Sequence, residues 1–157
     1  MHSNSPYVRV YIGLGSNLLS PLSQVRRAIA ELAQLPESRL CAVSRLYRTP
    51  PMGPAEQPDY INAVAAIDTR LKPLSLLDAL QGIENRHHRQ RGAVQWGPRT
   101  LDLDLLLYGD AEINESRLTV PHPGLLDRGF VLCPMADIAP ALTMPNGHCL
   151  KDLCEEL

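Results

Sequence analysis

The sequence predicts a mixed α+β domain in which helices pack on a mainly antiparallel sheet. Four segments alternate apolar with other residues, as half-buried strands do, and lie at 8–14, 39–47 and 60–69 and around Asp102. Two segments with the helical spacing of apolar residues separate them, one opening at Ser20-Pro21 and the other at Pro73. The order strand, helix, strand, strand, helix, strand is that of a ferredoxin-like βαββαβ core.

Length and composition limit the class of protein. The chain has 157 residues and a net charge of -2, which suits one domain over residues 1–157 and argues against a nucleic-acid protein held by bulk electrostatics. Residues 1–6 are polar and expected to fray. No signal peptide is recognisable, and no apolar run approaches the ~18 residues of a membrane span. We therefore expect a cytoplasmic monomer that binds neither nucleic acid nor membrane. The four cysteines form no CxxC pair, so we expect reduced thiols.

In the first half of the chain, the glycines of GLGSN at 13–17 are expected to end the first strand in a turn, because a short glycine pattern alone is weak evidence for a phosphate loop. The first helix is expected to run from Pro21 to near Pro36. Its buried face is predicted to consist of Leu22, Val25, Ile29 and Leu32. The proline-rich segment 50–58 is predicted to be an exposed loop of the kind that often carries function.

In the second half, the helix from Pro73 is expected to run towards His88 and to leave His87 and His88 on the surface. Its buried side is predicted to hold Leu74, Leu77, Leu80 and Ile83. A basic loop with the only tryptophan follows at 89–98. Further on we expect a turn at 109–110, a short strand at 112–114 and helical pieces at 135–138 and 150–156. Helices are expected on one face of the sheet, which leaves the other face free for a site.

Asp102 and Asp104 stand out because they interrupt a run of leucines, where an uncompensated carboxylate is costly to bury. In a strand, residues two apart lie on the same face with their Cα atoms about 7 Å apart. The two carboxylates would then form a pair of oxygen ligands suited to Mg²⁺. The alternatives are an ion pair, for example with Arg99, or a solvated sheet face, and spacing alone leaves all three open. Nearby cations favour a metal-bound polyphosphate; they are Arg86, Arg89, Arg91, Arg99, Arg117, His122 and Arg128.

Three longer motifs, in this order and spacing, resemble one known family. The segments YRTPPMGPAEQPDYINAV, WGPRTLDLD and RLTVPHPGLLDRGF are similar to those of 6-hydroxymethyl-7,8-dihydropterin pyrophosphokinase, a folate-pathway family, and the resemblance extends from about Val8 to Pro140. It implies a ferredoxin-like fold and transfer of pyrophosphate from ATP to the hydroxymethyl oxygen of the pterin, with release of AMP. It also implies two Mg²⁺ ions held by Asp102 and Asp104.

The resemblance assigns further residues to the site. Arg89 and Arg99 match positions that act on the phosphates, alongside the two aspartates. The positions that match the ATP side are Gln81, Glu84, Arg91, Trp96, Arg117, Thr119, His122 and Arg128. Those that match the pterin side are Thr49, Pro50, Pro51, Met52, Tyr60, Asn62, Trp96 and Phe130. Tyr60 and Phe130 would sandwich the pterin ring, and Trp96 would close the mouth. Two positions depart from the family pattern: Gln95 replaces a commonly basic residue, and Pro123 replaces a common aromatic.

Two other functions compete with this interpretation. A binding module that has kept the fold without catalysis would tolerate loss of an aspartate, and both aspartates are present. A metal-dependent phosphohydrolase would use the same carboxylates with water in place of the pterin. Adding the pterin would not stimulate AMP release by such an enzyme.

Overall fold

An antiparallel sheet forms the centre of the fold. The computed structural model describes residues 6–17, 20–49, 59–87, 101–123, 125, 129–144, 147 and 149–150. In this part of the chain the elements are β1 (Val8–Ser16), α1 (Pro21–Leu32), β2 (Ser38–Val43), β3 (Tyr47–Thr49), β4 (Tyr60–Thr69), α2 (Pro73–His87), β5 (Asp102–Tyr108), β6 (Ile113–Glu115), β7 (Leu118–Val120) and α3 (Gly129–Ile138). The mixed α+β class with a mainly antiparallel sheet is confirmed.

The pairing of the strands is that expected of a βαββαβ core. The described sheet has five strands in the order β2-β4-β1-β5, with β3 also pairing with β4, and every pairing is antiparallel. Strands β1 and β4 are therefore central and β5 lies at an edge. The hairpin of β6 and β7 forms a separate two-stranded sheet.

One core lies between the sheet and the first two helices. The apolar residues of alternate positions in the central strands point to it, as the sequence predicts. They are Val10, Ile12 and Leu14 of β1 and Ala63, Ala65 and Ile67 of β4. Helices α1 and α2 contribute Val25, Ala28, Leu32, Leu76, Leu80 and Ile83. These residues are all nearly or fully buried, so this face of the sheet is closed to solvent.

A second core lies on the opposite face, which corrects the expectation that all helices pack on one side. Tyr11, Val64, Ala66 and Leu106 pack there with Val131, Leu132 and Met135 of α3. The reason is that both faces of β1 and β4 carry apolar residues, and a strand that is apolar on both faces needs cover on both. Helix α3 is also longer than the predicted piece at 135–138, since it begins at Gly129 and contains Pro134.

Several element boundaries also differ from prediction. Gly13 and Gly15 lie inside β1 and not in a turn, because β1 is hydrogen-bonded to a strand on each side over these residues. The strand predicted at 39–47 is split into β2 and β3, with Ser44 bonded to Val64 through both its backbone N and its Oγ at 2.9 Å. Helix α1 ends at Leu32 and not near Pro36.

Some predicted burial is also corrected. In α1, Leu22 is 42 % exposed, whereas Gln24 and Ala28, which were not predicted to be buried, are buried. In α2, Leu76 is fully buried although the sequence does not predict it, whereas Leu74 is only partly buried. The short strand near 113 is confirmed with a shift of one residue.

His87 is buried, whereas the sequence analysis places it on the surface. Its Nδ1 lies 2.5 Å from Gln24 Oε1 and its Nε2 lies 2.5 Å from Glu31 Oε1. Burial raises the pKa of Glu31, but hydrogen bonds from His87 and Arg86 outweigh that effect and hold the pKa below its ordinary value. His87 thus joins α2 to α1.

The cysteines do not all fit the expectation of reduced thiols. Cys41 and Cys149 are free, but Cys133 is disulfide-bonded. Pairing between cysteines far apart in sequence depends on the folded geometry, so spacing could not predict it. Among the described helices, none has the length and apolarity that crossing a membrane requires.

Candidate active site

Asp102 and Asp104 lie on the sheet face that α3 covers, towards the end of the sheet where β5 begins. Leu103 and Leu105 are buried in the opposite core, so the alternation of β5 turns both aspartates away from α1 and α2. Each aspartate is half-buried. His122 joins them, because its Nε2 lies 3.9 Å from Asp104 Oδ1. The same-face pair predicted from the spacing is therefore present.

Strand register brings the metal-side and pterin-side candidates onto this face. Gly15 of β1 pairs with Asn62 of β4 on one side and with Asp102 of β5 on the other. Two strand spacings separate the backbones of Asn62 and Asp102 by roughly 10 Å. Because the residue between them is glycine, no side chain of β1 stands between the amide and the carboxylate.

The end of α2 lies beside the outer edge of β5. Glu84 Oε2 accepts a hydrogen bond of 2.8 Å from Leu103 N, so the carboxylate holds the backbone between the two aspartates. Gln81 is one turn earlier and exposed on the same helix. Both residues match the ATP side by resemblance, and the structure places Glu84 at the edge strand that carries Asp102 and Asp104.

The hairpin of β6 and β7 and the residues just after it carry three further ATP-side candidates, Arg117, Thr119 and His122. Arg117 Nη2 donates to Asp78 Oδ1 at 2.5 Å and to Gln81 Oε1 at 3.3 Å. Thr119 is exposed in β7. His122 N donates to Leu106 O at 3.0 Å, which fastens the segment after β7 to β5. Arg117 therefore contacts α2, and His122 contacts both Asp104 and the backbone of β5.

The donor set suits a hard cation that also binds phosphate. In the described part of the chain, no group of three or more His, Cys, Asp or Glu residues is placed to hold a metal ion by itself. Two carboxylates leave most of an octahedral shell to water and substrate oxygens, which is the arrangement that Mg²⁺ favours. Zinc sites, in contrast, use three or four protein ligands. The residues present therefore fit Mg²⁺.

A group of residues that the sequence analysis missed joins α3 to β3, next to Asn62. Asp137 of α3 accepts hydrogen bonds from Tyr47 Oη at 2.7 Å, from Arg45 Nη2 at 2.9 Å and from Arg45 N at 3.2 Å. The Arg45 guanidinium, followed by the other hydrogen bonds, holds the pKa of Asp137 below its ordinary value. Tyr47 in turn pairs with Asn62 across β3 and β4. Nothing in the sequence links Asp137 to Tyr47, because the contact depends on where α3 packs.

Part of the candidate site falls outside the described residues. The candidates that lie outside them are Pro50, Pro51, Met52, Arg89, Arg91, Trp96, Arg99 and Arg128. Thr49 is the last residue of β3 and pairs with Tyr60, and Phe130 is the second residue of α3, but their side chains are not described. Tyr60 is half-buried, two residues before Asn62 on the same face of β4.

Comparison with known proteins agrees with this geometry. Residues 11–140 match the family model of 7,8-dihydro-6-hydroxymethylpterin-pyrophosphokinase. The chain belongs to this family. It is 53 % identical over 145 residues to the 2-amino-4-hydroxy-6-hydroxymethyldihydropteridine pyrophosphokinase of Pseudomonas aeruginosa, covering 92 % of this chain and 89 % of that protein. To the enzyme of the same name from Haemophilus influenzae it is 46 % identical over 149 residues, covering 95 % and 92 %.

Solved structures similar to this pyrophosphokinase have the same fold. The wild-type HPPK-DHPS of Plasmodium falciparum with pteroate matches with a TM-score of 0.76 and 13 % identity. The match covers 99 % of this chain and 43 % of that one, so the pyrophosphokinase spans less than half of the length of this solved relative. At this identity the likeness supports the fold, including its ferredoxin-like core.

Proposed function

We propose that this pyrophosphokinase transfers the pyrophosphoryl group of ATP to the hydroxymethyl oxygen of 6-hydroxymethyl-7,8-dihydropterin in folate biosynthesis. A bond forms between that oxygen and the β-phosphorus, the bond from the β-phosphorus to the α,β-bridging oxygen breaks, and AMP leaves. The hydroxyl proton is released to solvent. The observation that carries the proposal is the juxtaposition of Asn62 and the aspartate pair on one strip of the sheet face.

Asp102 and Asp104 are proposed to hold two Mg²⁺ ions together with the oxygens of the triphosphate. Mg²⁺ bound there would neutralise phosphate charge and lower the pKa of the attacking hydroxyl. The aspartates sit on a paired strand whose other face is fixed in the core, so their relative position is set before substrate arrives. Preorganised charge of this kind is where phosphoryl-transfer enzymes obtain most of their rate.

The pterin is proposed to lie against β4. An asparagine amide offers both donors and an acceptor, which matches the alternating donors and acceptors along the edge of a pterin. Tyr60 would stack on one side of the ring and Phe130 on the other. The segment with Thr49, Pro50, Pro51 and Met52 would line the polar edge.

The nucleotide is proposed to lie along the edge of β5. Gln81, Arg117, Thr119 and His122 are proposed to contact it there, and Arg128 is assigned to the same side. Glu84 contributes by accepting the hydrogen bond of Leu103 N in that strand. Arg89 and Arg99, with Arg91 beside them, are proposed to close over the phosphates, and Trp96 is proposed to close over both substrates. The protein is further proposed to be a cytoplasmic monomer that binds neither nucleic acid nor membrane.

An assay of AMP release tests the proposal against its alternatives. The protein is incubated with ATP and Mg²⁺, with and without 6-hydroxymethyl-7,8-dihydropterin, and AMP and the pterin diphosphate are quantified. We expect pterin-dependent AMP in equal amount to pterin diphosphate. AMP release that does not depend on the pterin would indicate a phosphohydrolase. Binding of both ligands without any AMP would indicate a noncatalytic module.

A further inference from the structure

Gly13 and Gly15 have the same strand pairing and face the same side of the sheet, but their side-chain surroundings differ. Both lie on the site-bearing face, two residues apart in a paired central strand. Neither has a positive φ, so backbone conformation does not require glycine at either position. The reason for glycine must lie in what a side chain would touch.

A Cβ atom at Gly13 would meet only ordinary contacts. It would lie 3.5 Å from Leu106 Cδ1, with other atoms of the same side chain slightly further away. An apolar methyl against a leucine is a normal packing contact. Alanine therefore fits at this position.

A Cβ atom at Gly15 would meet the two residues assigned to the pterin. It would lie 3.1 Å from Asn62 Oδ1, a tight contact with a polar atom, and 3.8 Å from Tyr60 Cδ1. Asn62 is only 7 % exposed and has an interaction of its own. Its enclosed amide cannot turn out to solvent without losing that interaction, so the added methyl would shift the amide within the site.

We propose that Gly15 is a positioning residue for the pterin, which it sets in place through Asn62. The bare backbone at Gly15 lets the Asn62 amide lie over β1, at the start of the row that leads from Asn62 to Asp102. This inference rests on the proposed function, because it takes Asn62 as a pterin ligand. The pterin would then be held with its hydroxymethyl group directed along the row towards the aspartates.

The test compares Gly15→Ala with Gly13→Ala as the matched control. Binding of the pterin is measured with a nonhydrolysable ATP analogue and Mg²⁺ present, and binding of the analogue is measured alone. Loss of one well-placed hydrogen bond corresponds to about tenfold in affinity. We expect Gly15→Ala to weaken pterin binding about tenfold or more and to leave analogue binding within about twofold. Gly13→Ala should change neither by more than about twofold.

A double-mutant cycle tests whether Gly15 acts through Asn62. In an Asn62→Ala background the contact is gone, so Gly15→Ala should add less than about twofold to the loss of pterin binding. A full additional tenfold loss in that background would overturn the inference, as would unchanged pterin binding in Gly15→Ala alone. If Gly15→Ala does not fold, the double variant must fold with the thermal midpoint of Asn62→Ala, and failure to do so would also overturn it.

The two proposals can fail separately. Pterin binding and thermal midpoints of the variants decide the role of Gly15. Pterin-dependent AMP release by the unaltered protein decides the proposed function. If the protein binds pterin through Asn62 and Gly15 but releases no AMP, the role of Gly15 stands and the proposed function fails.

Discussion

Replacing Glu84 tests whether this carboxylate supports the strand that carries the aspartate pair. Its Oε2 accepts the Leu103 N–H at 2.8 Å, on the side of β5 that faces away from β1. Leu103 lies between Asp102 and Asp104, so a shift of its backbone would move both carboxylates. Glu84→Ala leaves this N–H with water as its only replacement, whereas Glu84→Gln keeps an oxygen that can accept the bond.

The size of the effect follows from that bond. A hydrogen bond to a charged group contributes about 1.5–3 kcal/mol, and partial exposure of Glu84 favours the lower value, about 1.5 kcal/mol. For a domain of this length each kcal/mol shifts Tm by roughly 2–4 °C, so Glu84→Ala should lower Tm by roughly 3–6 °C. Glutamine loses only the assistance of the charge, about half of the effect.

Thermal unfolding without ligands, combined with steady-state turnover, separates support from nucleotide binding. We expect Tm to rise in the order Glu84→Ala, Glu84→Gln, parent protein, and turnover to fall about tenfold in Glu84→Ala because misplaced catalytic groups are costly. Gln81→Ala is the control for Tm, since Gln81 is exposed one turn earlier and should leave Tm unchanged. If Glu84→Ala keeps the parent Tm and loses only ATP affinity, Glu84 is a nucleotide ligand and the support argument is refuted.

Three further predictions concern the arginines assigned to the phosphates, Trp96, and the contact that Asp137 of α3 makes with β3. Arg89→Ala and Arg99→Ala should reduce the single-turnover rate by about 10²-fold and ATP binding much less, because both act on developing charge; equal losses would mean that they only bind ATP. Trp96 emission should shift to the blue and resist acrylamide only when both ligands are bound, and full protection without ligands would place it in the core. Asp137→Asn should lower Tm near neutral pH. Because the folded pKa of Asp137 is depressed, its contribution is present above the unfolded value of about 3.9 and is lost as pH falls through the folded pKa, so the Tm difference from the parent should vanish in acid and persist at neutral pH.

The parts of the site that sequence could predict are those set by local periodicity. Asp102 and Asp104 share a face because they are two residues apart in a strand, and their leucine neighbours fix which face that is. The Glu84 contact with Leu103 could not be predicted in the same way. That contact joins two different elements, and it depends on how α2 packs beside β5. The periodicity within either element does not determine this packing.

The errors have physical reasons of the same kind. Local propensity disfavours glycine in strands and is consistent with a turn at 13–17, but pairing on both sides of β1 overrides that preference. His87 continues the spacing of Leu76, Leu80 and Ile83, so the helical pattern did indicate burial. Its polar side chain led to a surface assignment, and only the folded structure shows Gln24 and Glu31 in place to receive it.

The most direct test of the central claim is pterin-dependent AMP formation by Asp102→Asn and Asp104→Asn at saturating Mg²⁺, with Tm measured separately on the metal-free proteins. Each substitution keeps the volume of the side chain and removes a metal-binding charge on a half-buried position. We predict that each loses about 10²-fold or more in turnover. Tm should stay equal or rise, because two like charges on one face no longer repel. Near-normal turnover in both variants, with the fold intact, would contradict the claim that this pair holds the metal-bound triphosphate.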